Sequence, residues 1–314
     1  MSNSPSPEIR NLYTMRSVLT AAVLTAVYFG ASWLLIGFKI DQVYLALFFN
    51  SFYFISRTTR KFITGFSIFI LFWVIFDYMK AFPNYRYNSV HIADLYSAEK
   101  NLFGIHSGGQ LLTPNEYWLS HGNTFLDILT GICYLCWVPV PLAFATYLFF
   151  KDRKGFLHFS LTFLLVNLLG FCIYYIYPAA PPWYVQENGF AFIANTPGNT
   201  GGLSKFDLFF GSGIFKSLYS KSSNVFAAMP SLHASYPLIV LYYGLKYRLK
   251  WFNLLFVAIM TGIWFAAIYN SHHYVLDVLA GICCAITGIA LFQVLAAKNN
   301  WVKRMIDRFA ASIA

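Results

Sequence analysis

Four side chains in the second half of the chain are of the types that move protons or attack phosphorus: His233 in "MPSLHAS", and His272, His273 and Asp277 in "SHHYVLDVLAG". His273 and Asp277 are four residues apart, so on a helix they share a face and the carboxylate can reach one imidazole nitrogen. Such a bond sets the tautomer and leaves the other nitrogen's lone pair free to attack. His273 is therefore the candidate nucleophile, with Asp277 orienting it and stabilising the charge that develops. His233 follows "MPS" at the start of a helix, where unpaired backbone N–H groups and the helix dipole favour an anion such as phosphate. From there it can protonate a leaving oxygen and later deprotonate a second substrate. The combination points to phosphoryl-type transfer through a phosphohistidine, with Ser231 and backbone amides holding the phosphate. Adjacent helical residues point about 100° apart, so His272 either contacts substrate or sits at an interface.

These polar groups stand in a chain that is 58% hydrophobic, 20% aromatic and only 11% charged. That composition excludes a water-soluble domain and indicates an all-α, polytopic membrane protein. Eight apolar stretches, 17–38, 42–56, 62–79, 125–150, 157–177, 232–245, 251–271 and 274–296, are the expected crossings, the second and sixth being short. Three tight connections carry Arg57, Arg60 and Lys61; Lys151, Arg153 and Lys154; and Lys246, Arg248 and Lys250. With Arg10, Arg16, Lys298, Lys303, Arg304 and Arg308, eight crossings put these residues on one side, which the positive-inside rule makes cytoplasmic. The net charge of +10 is thus explained by topology, with no need for nucleic acid. Both termini are expected in the cytoplasm. The first apolar stretch lacks a cleavage pattern and reads as a retained helix. All five cysteines fall inside expected spans, so "CYLC" reads as packing and no disulfide framework is implied.

The expected division is 1–124 for N-terminal helices plus an outer loop, 125–296 for a catalytic helical core, and 297–314 for a cytoplasmic tail. In the first outer loop, Ile92, Leu95, Leu102 and Phe103 recur at helical spacing with Asp94, Glu99 and Lys100 between them, as in an interfacial helix. "TPNEYWL" carries a capping box, Thr113 to Glu116, with Pro114 at the first helical position. These helices either cap the bundle or line a lipid entry path. The second outer loop holds "YPAAPPWY" and "NTPGNTGGLS"; the latter lacks the Gly-Lys-Ser/Thr ending of a phosphate-binding P-loop. Trp183 with its prolines, His233 and the His272/His273 pair all fall at the outer face, contributed by three helix ends. Intramembrane polar groups are functional by default, and three at one depth need a common reason. His91, His106, His121 and His158 have no such company and read as interfacial polar residues. Two histidines and a carboxylate also form zinc sites, but the i, i+4 carboxylate suits orienting an imidazole and no further ligand is evident. A transporter with a proton relay would place its cluster near the midplane, not at one face.

"PSLH" followed by "HHYVLD" resembles the second and third motifs of the phosphatidic acid phosphatase type 2 superfamily. The likeness is closer to one branch, the fungal inositol phosphorylceramide synthases that are targets of aureobasidin: "YPAAPPWY", "PGNTGGLSKFD", "SSNVFAAMPSLHAS" and "YNSHHYVLDVLAG" are similar to that branch's blocks, in the same order. Weaker similarity at "LYSAEKNLFGI" and "FLDIL" extends it over about residues 75–290. The resemblance implies a six-helix core, a catalytic triad of His233, His273 and Asp277, and a ping-pong reaction. In it His273 attacks phosphatidylinositol, diacylglycerol leaves, and a ceramide hydroxyl takes the phosphoinositol, with no cofactor or metal. Phosphatases of the superfamily carry an arginine six residues before the nucleophile, where Ala267 stands here, and Trp183 stands where some relatives have arginine. A diester carries one negative charge against nearly two for a monoester, so losing cationic clamps suits a diester substrate and a transferase. Asn224, Asn270, Lys205 and Lys221 are candidates for phosphate contacts, and Asp77 and Asp127 for inositol hydroxyls. The competing readings are a lipid phosphate phosphatase and a ceramide phosphotransferase using ethanolamine or choline head groups. The short chain favours a bacterial inner-membrane protein with a periplasmic site; a Golgi enzyme would have it lumenal.

Overall fold

A backbone in lipid must satisfy its N–H and C=O groups within the segment, so long apolar runs become helices. The computed structural model describes residues 12–221 and 224–314. The polar N-terminal segment with Arg10, and Ser222 and Ser223, lie outside these residues. The first helices are α1 (Met15–Ile36), α2 (Ile40–Ile55) and α3 (Arg57–Tyr78). A long loop then holds α4 (Ala93–Phe103), the hairpin β1 (Ile105–Ser107) and β2 (Gln110–Leu112), and α5 (Pro114–His121). The bundle resumes with α6 (Thr124–Leu135), α7 (Pro139–Lys151) and α8 (Arg153–Ile176). A second long loop carries α9 (Pro182–Asn188), α10 (Ser204–Phe210) and α11 (Ile214–Tyr219). Then come α12 (Leu232–Lys246), α13 (Trp251–Tyr269), α14 (Val275–Lys298) and α15 (Asn300–Ile313).

Six helical stretches are long and apolar enough to cross a membrane: Met15–Ile36, Arg57–Ala81, Thr124–Lys151, Arg153–Ile176, Trp251–Tyr269 and Val275–Lys298. The two remaining expected crossings are shorter, 16 residues for α2 and 15 for α12. Helix α12 rises only roughly 22 Å. It is packed against α8, α13 and α14, with most of its side chains buried, so protein rather than lipid surrounds it. The stretch expected as one crossing at 125–150 is broken at residues 136–138, where Pro139 and Pro141 interrupt the backbone donors. The break leaves Trp137 facing the bundle interior, 4.6 Å from the His233 ring and 5.9 Å from Tyr236.

The main core joins α3, α7, α8, α12 and α14 through aromatic side chains such as Phe66, Phe149, Phe159 and Phe163. Beyond the last crossing the chain folds as α15, whose Ile306, Ala310 and Ile313 enter the same core. Lys154 pairs with Asp307 at 2.7 Å and Lys61 donates to the Ala314 carbonyl. Two of the basic connections therefore meet the C-terminal helix at one end of the bundle. Both helices expected in the first long loop form, and Thr113 and Glu116 close the capping box.

Candidate active site

At the other end of the bundle a tight turn joins α13 to α14. Asn270 ends α13, Ser271 adopts φ +58°, and the N–H groups of His272 and His273 both donate to the Ala267 carbonyl at 3.0 Å. A left-handed serine costs about 1–2 kcal/mol, and the turn it makes directs the His273 imidazole to His233 at the start of α12 and the His272 imidazole to Thr200. That start is latched to α14: Ser231 N–H donates to the Asp277 carbonyl at 2.9 Å, and Ser235 Oγ to the Gly281 carbonyl at 2.7 Å. The two helices approach so closely that a Cβ on Gly281 would lie 2.1 Å from the Ser231 carbonyl oxygen. His233 is thereby held beside His273.

The two imidazoles face each other directly, His233 Nδ1 at 3.1 Å from His273 Nε2. On its other side His273 Nδ1 lies 3.6 Å from Asp277 Oδ2, longer than a hydrogen bond. Asp277 Oδ2 accepts from the Tyr274 N–H at 2.8 Å, while Oδ1 and His273 Nδ1 are buried without a protein partner. With its Nδ1 proton directed at Asp277, His273 presents the Nε2 lone pair to His233, whose Nδ1 then carries the proton. Burial keeps His273 in its neutral, nucleophilic form, pushing its pKa down to about 4. Tyr134 and Trp137 wall the pair, with ring centroids 5.2 and 4.6 Å from His233. Among the described residues no three His, Cys, Asp or Glu side chains converge as metal ligands.

Two polar residues from the first long loop hold this turn from outside. The fully buried Glu99 of α4 accepts from the N–H groups of Val275 at 2.9 Å and Leu276 at 3.1 Å, satisfying orphan donors at the start of α14. The fully buried Asn115 of α5 donates to the carbonyls of Ile268 at 2.7 Å and His273 at 2.9 Å. Sequence reasoning missed both. Glu99 had a signal, since it stands four residues after the buried Leu95 and shares its helix face.

The glycine-rich loop presses on the same turn. Gly202 N–H donates to the Asn270 carbonyl at 2.9 Å, and His272 Nε2 donates to the Thr200 carbonyl at 2.8 Å. A Cβ on Gly202 would lie 2.9 Å from Asn270 Cα. Gly202→Ala is therefore expected to cost about 1–3 kcal/mol and to slow turnover at least about tenfold by shifting the turn. Gly213→Ala, where a Cβ meets nothing within 4 Å, is the control. Thermal midpoints and initial rates of the two variants check this, and equal behaviour would refute the packing role.

The other expected site residues divide by place. Ser231 is fully buried and spent as the N-cap of α12. Trp183 packs among Ile92, Ala180, Tyr184 and Phe226, its backbone N–H donating to the Ser271 carbonyl at 2.9 Å. Asn270 is buried in the turn itself, with Oδ1 unpartnered. Asn224 accepts from the Phe226 N–H at 3.1 Å. His272 stacks on Tyr219 at 4.4 Å. Asp127 accepts from the Tyr269 hydroxyl at 2.7 Å, with Lys205 at 3.7 Å. Asp77 and Lys221, by contrast, line a cavity of about 570 Å³ together with His233. Lys39, Asp41, Gln42, Lys80, Tyr219 and Ser220 are also on its polar wall. Through Leu45, Trp73 and Trp137 this chamber adjoins a second cavity of about 350 Å³ lined by aliphatic and aromatic side chains such as Phe48, Phe69 and Leu142. The His233 imidazole thus lines a polar hollow that adjoins an apolar one. That is the shape of a site for a lipid with a polar head group.

The family model of the PAP2 superfamily matches residues 108–291, which include His233, His273 and Asp277. The chain belongs to the PAP2 superfamily. A relative of similar length is the phosphoinositol dihydroceramide synthase of Bacteroides thetaiotaomicron, 43% identical over 94% of this chain and 97% of the relative. The inositol phosphorylceramide synthase catalytic subunit of Saccharomyces cerevisiae is 28% identical over 81% of this chain and 61% of its own length. The inositol phosphorylceramide synthase of Candida albicans is 31% identical over 52% of this chain and 37% of its own. No solved structure gives a significant match. The matched region begins after α3, so this PAP2 chain adds the helices that carry Lys39, Asp41, Asp77 and Lys80.

Proposed function

We propose that this protein transfers phosphoinositol from phosphatidylinositol to a ceramide-type acceptor, releasing diacylglycerol. The observation that carries the reading is the His233–His273 contact, with His233 lining a polar cavity that adjoins an apolar one. The names of its relatives support the same head group and acceptor. In the first step His273 Nε2 bonds to phosphorus, the bond to the diacylglycerol oxygen breaks, and His233, entering the step as the imidazolium, gives that oxygen a proton and becomes neutral. As phosphorus enters, the 3.1 Å contact between the imidazoles opens. Asp277 closes on His273 Nδ1 as positive charge develops there; catalytic hydrogen bonds are often long before substrate binds. In the second step a ceramide hydroxyl passes its proton to His233, bonds to phosphorus, and the N–P bond breaks.

The site is proposed to face the periplasm of a bacterial inner membrane with both termini cytoplasmic. The basic connections at the opposite end of the bundle and the bacterial relative support this placement. Purified protein supplied with labelled phosphatidylinositol should form phosphoinositol ceramide only when ceramide is present. Release of inorganic phosphate from phosphatidic acid, with no ceramide product, would make the protein a phosphatase and sink the transferase reading.

A further inference from the structure

The polar chamber beside His233 is built on an alternation of charges. Lys80 pairs with Asp77 at 2.5 Å, and Lys221 with Asp41 at 3.1 Å; Lys39 stands on the same wall. Four of the five come from α2, α3 and their flanks, outside the region matched by the family model. The fifth, Lys221, follows α11 and reaches the start of α2 across 180 residues of chain. Three lysines against two aspartates leave one net positive charge in a cavity of about 570 Å³.

We propose that this set of charges is the head-group selector of the enzyme, admitting an uncharged polyol on a monoanionic phosphodiester and excluding cationic head groups. The proposal rests on the transferase reading and adds which donor lipid is taken and by which residues. The surplus positive charge matches the single negative charge of a phosphodiester, a task for which Ala267 and Trp183 offer no cation. A polyol hydroxyl both donates and accepts, so it bridges a carboxylate and an ammonium group without leaving either unpaired. A choline or ethanolamine head brings a second positive charge against three lysines and, for choline, no donor to replace the bonds it breaks. Discrimination built on such unpaired charges works by penalty on the wrong ligand as well as by attraction of the right one.

Two measurements on the full chain test this, one with turnover and one without. Transfer to ceramide is compared for phosphatidylinositol, phosphatidylethanolamine and phosphatidylcholine donors. Binding without acceptor is read as the thermal shift given by glycerophosphoinositol and by glycerophosphocholine. The wild type should prefer the inositol compounds in both assays. The double variants Asp77→Asn/Lys80→Met and Asp41→Asn/Lys221→Met should raise KM for phosphatidylinositol on the order of tenfold or more. They should narrow the preference while keeping the ligand-free thermal midpoint. Selective glycerophosphoinositol binding, lost in the variants, with no transfer from any donor would leave the selector standing and remove the transferase reading. Transfer that uses choline and inositol donors alike, or variants that keep the full preference, would overturn the selector.

Discussion

Replacing His273 by alanine is expected to lower phosphoinositol transfer by at least about 10⁴-fold, as loss of a covalent nucleophile does elsewhere. The release of diacylglycerol in the first turnover, measured without ceramide, should vanish with it. That burst reports the first half-reaction alone, so its survival in His273→Ala would place the nucleophile elsewhere. His233→Ala should lose turnover on natural lipid through both half-reactions. It should recover the first step in part on a p-nitrophenyl phosphodiester, whose leaving oxygen needs no proton. Tyr134 and Trp137 wall the pair closely, so both variants need a check that the thermal midpoint is retained.

Glu99→Ala should produce the second largest loss, on the order of 10²-fold in turnover, although Glu99 touches neither reacting histidine. Its removal strands the N–H groups of Val275 and Leu276, at about 1–3 kcal/mol each, and frees the start of the helix that carries Asp277. Glu99→Gln keeps the shape and one accepting oxygen, and should recover most of the turnover that alanine loses. A merely space-filling residue would not separate the two substitutions in this way. The pH dependence gives an independent mark. Burial raises the Glu99 carboxyl from its ordinary 4.5 to about 7, with the two N–H groups opposing and Asp277 adding to the rise. The folded protein therefore keeps this proton between about pH 4.5 and 7 while the unfolded chain gives it up. Stability should fall as pH rises across that window and level off above it. Glu99→Gln has nothing to titrate there, and its thermal midpoint should lack this component of the fall. Identical pH profiles for wild type and Glu99→Gln would rule the buried carboxyl out as the source.

Local pattern was sufficient for what acts over three or four residues. The capping box of Thr113 and Glu116 and the extents of most helices follow from hydrophobic period and end signals. His273, however, lies in the turn before α14, and its Nδ1 stands 3.6 Å from Asp277, outside the hydrogen bond expected of a helical i, i+4 pair. The common depth of His233 and the His272/His273 pair followed from counting crossings, and the structure brings these residues together. Tertiary structure decided the rest. Asp77 and Asp127 look alike in sequence, each near the end of an apolar run. Yet Asp77 lines the chamber with His233 while Asp127 is held by Tyr269 and Lys205. The difference lies in how each helix is rotated about its axis, which packing against neighbours determines and hydrophobic period does not. Likewise α4 and α5 read as amphipathic surface helices, but their buried polar residues, Glu99 and Asn115, meet donors and acceptors on a turn more than 150 residues away. The residues after the last crossing, expected only as a tail, form α15 because its apolar stripe finds a groove between α3 and α8. Sequence determined which groups this protein has available for chemistry and at which end of the bundle they lie. Only the folded chain decided which of them share a cavity, because that depends on contacts between helices far apart in the chain.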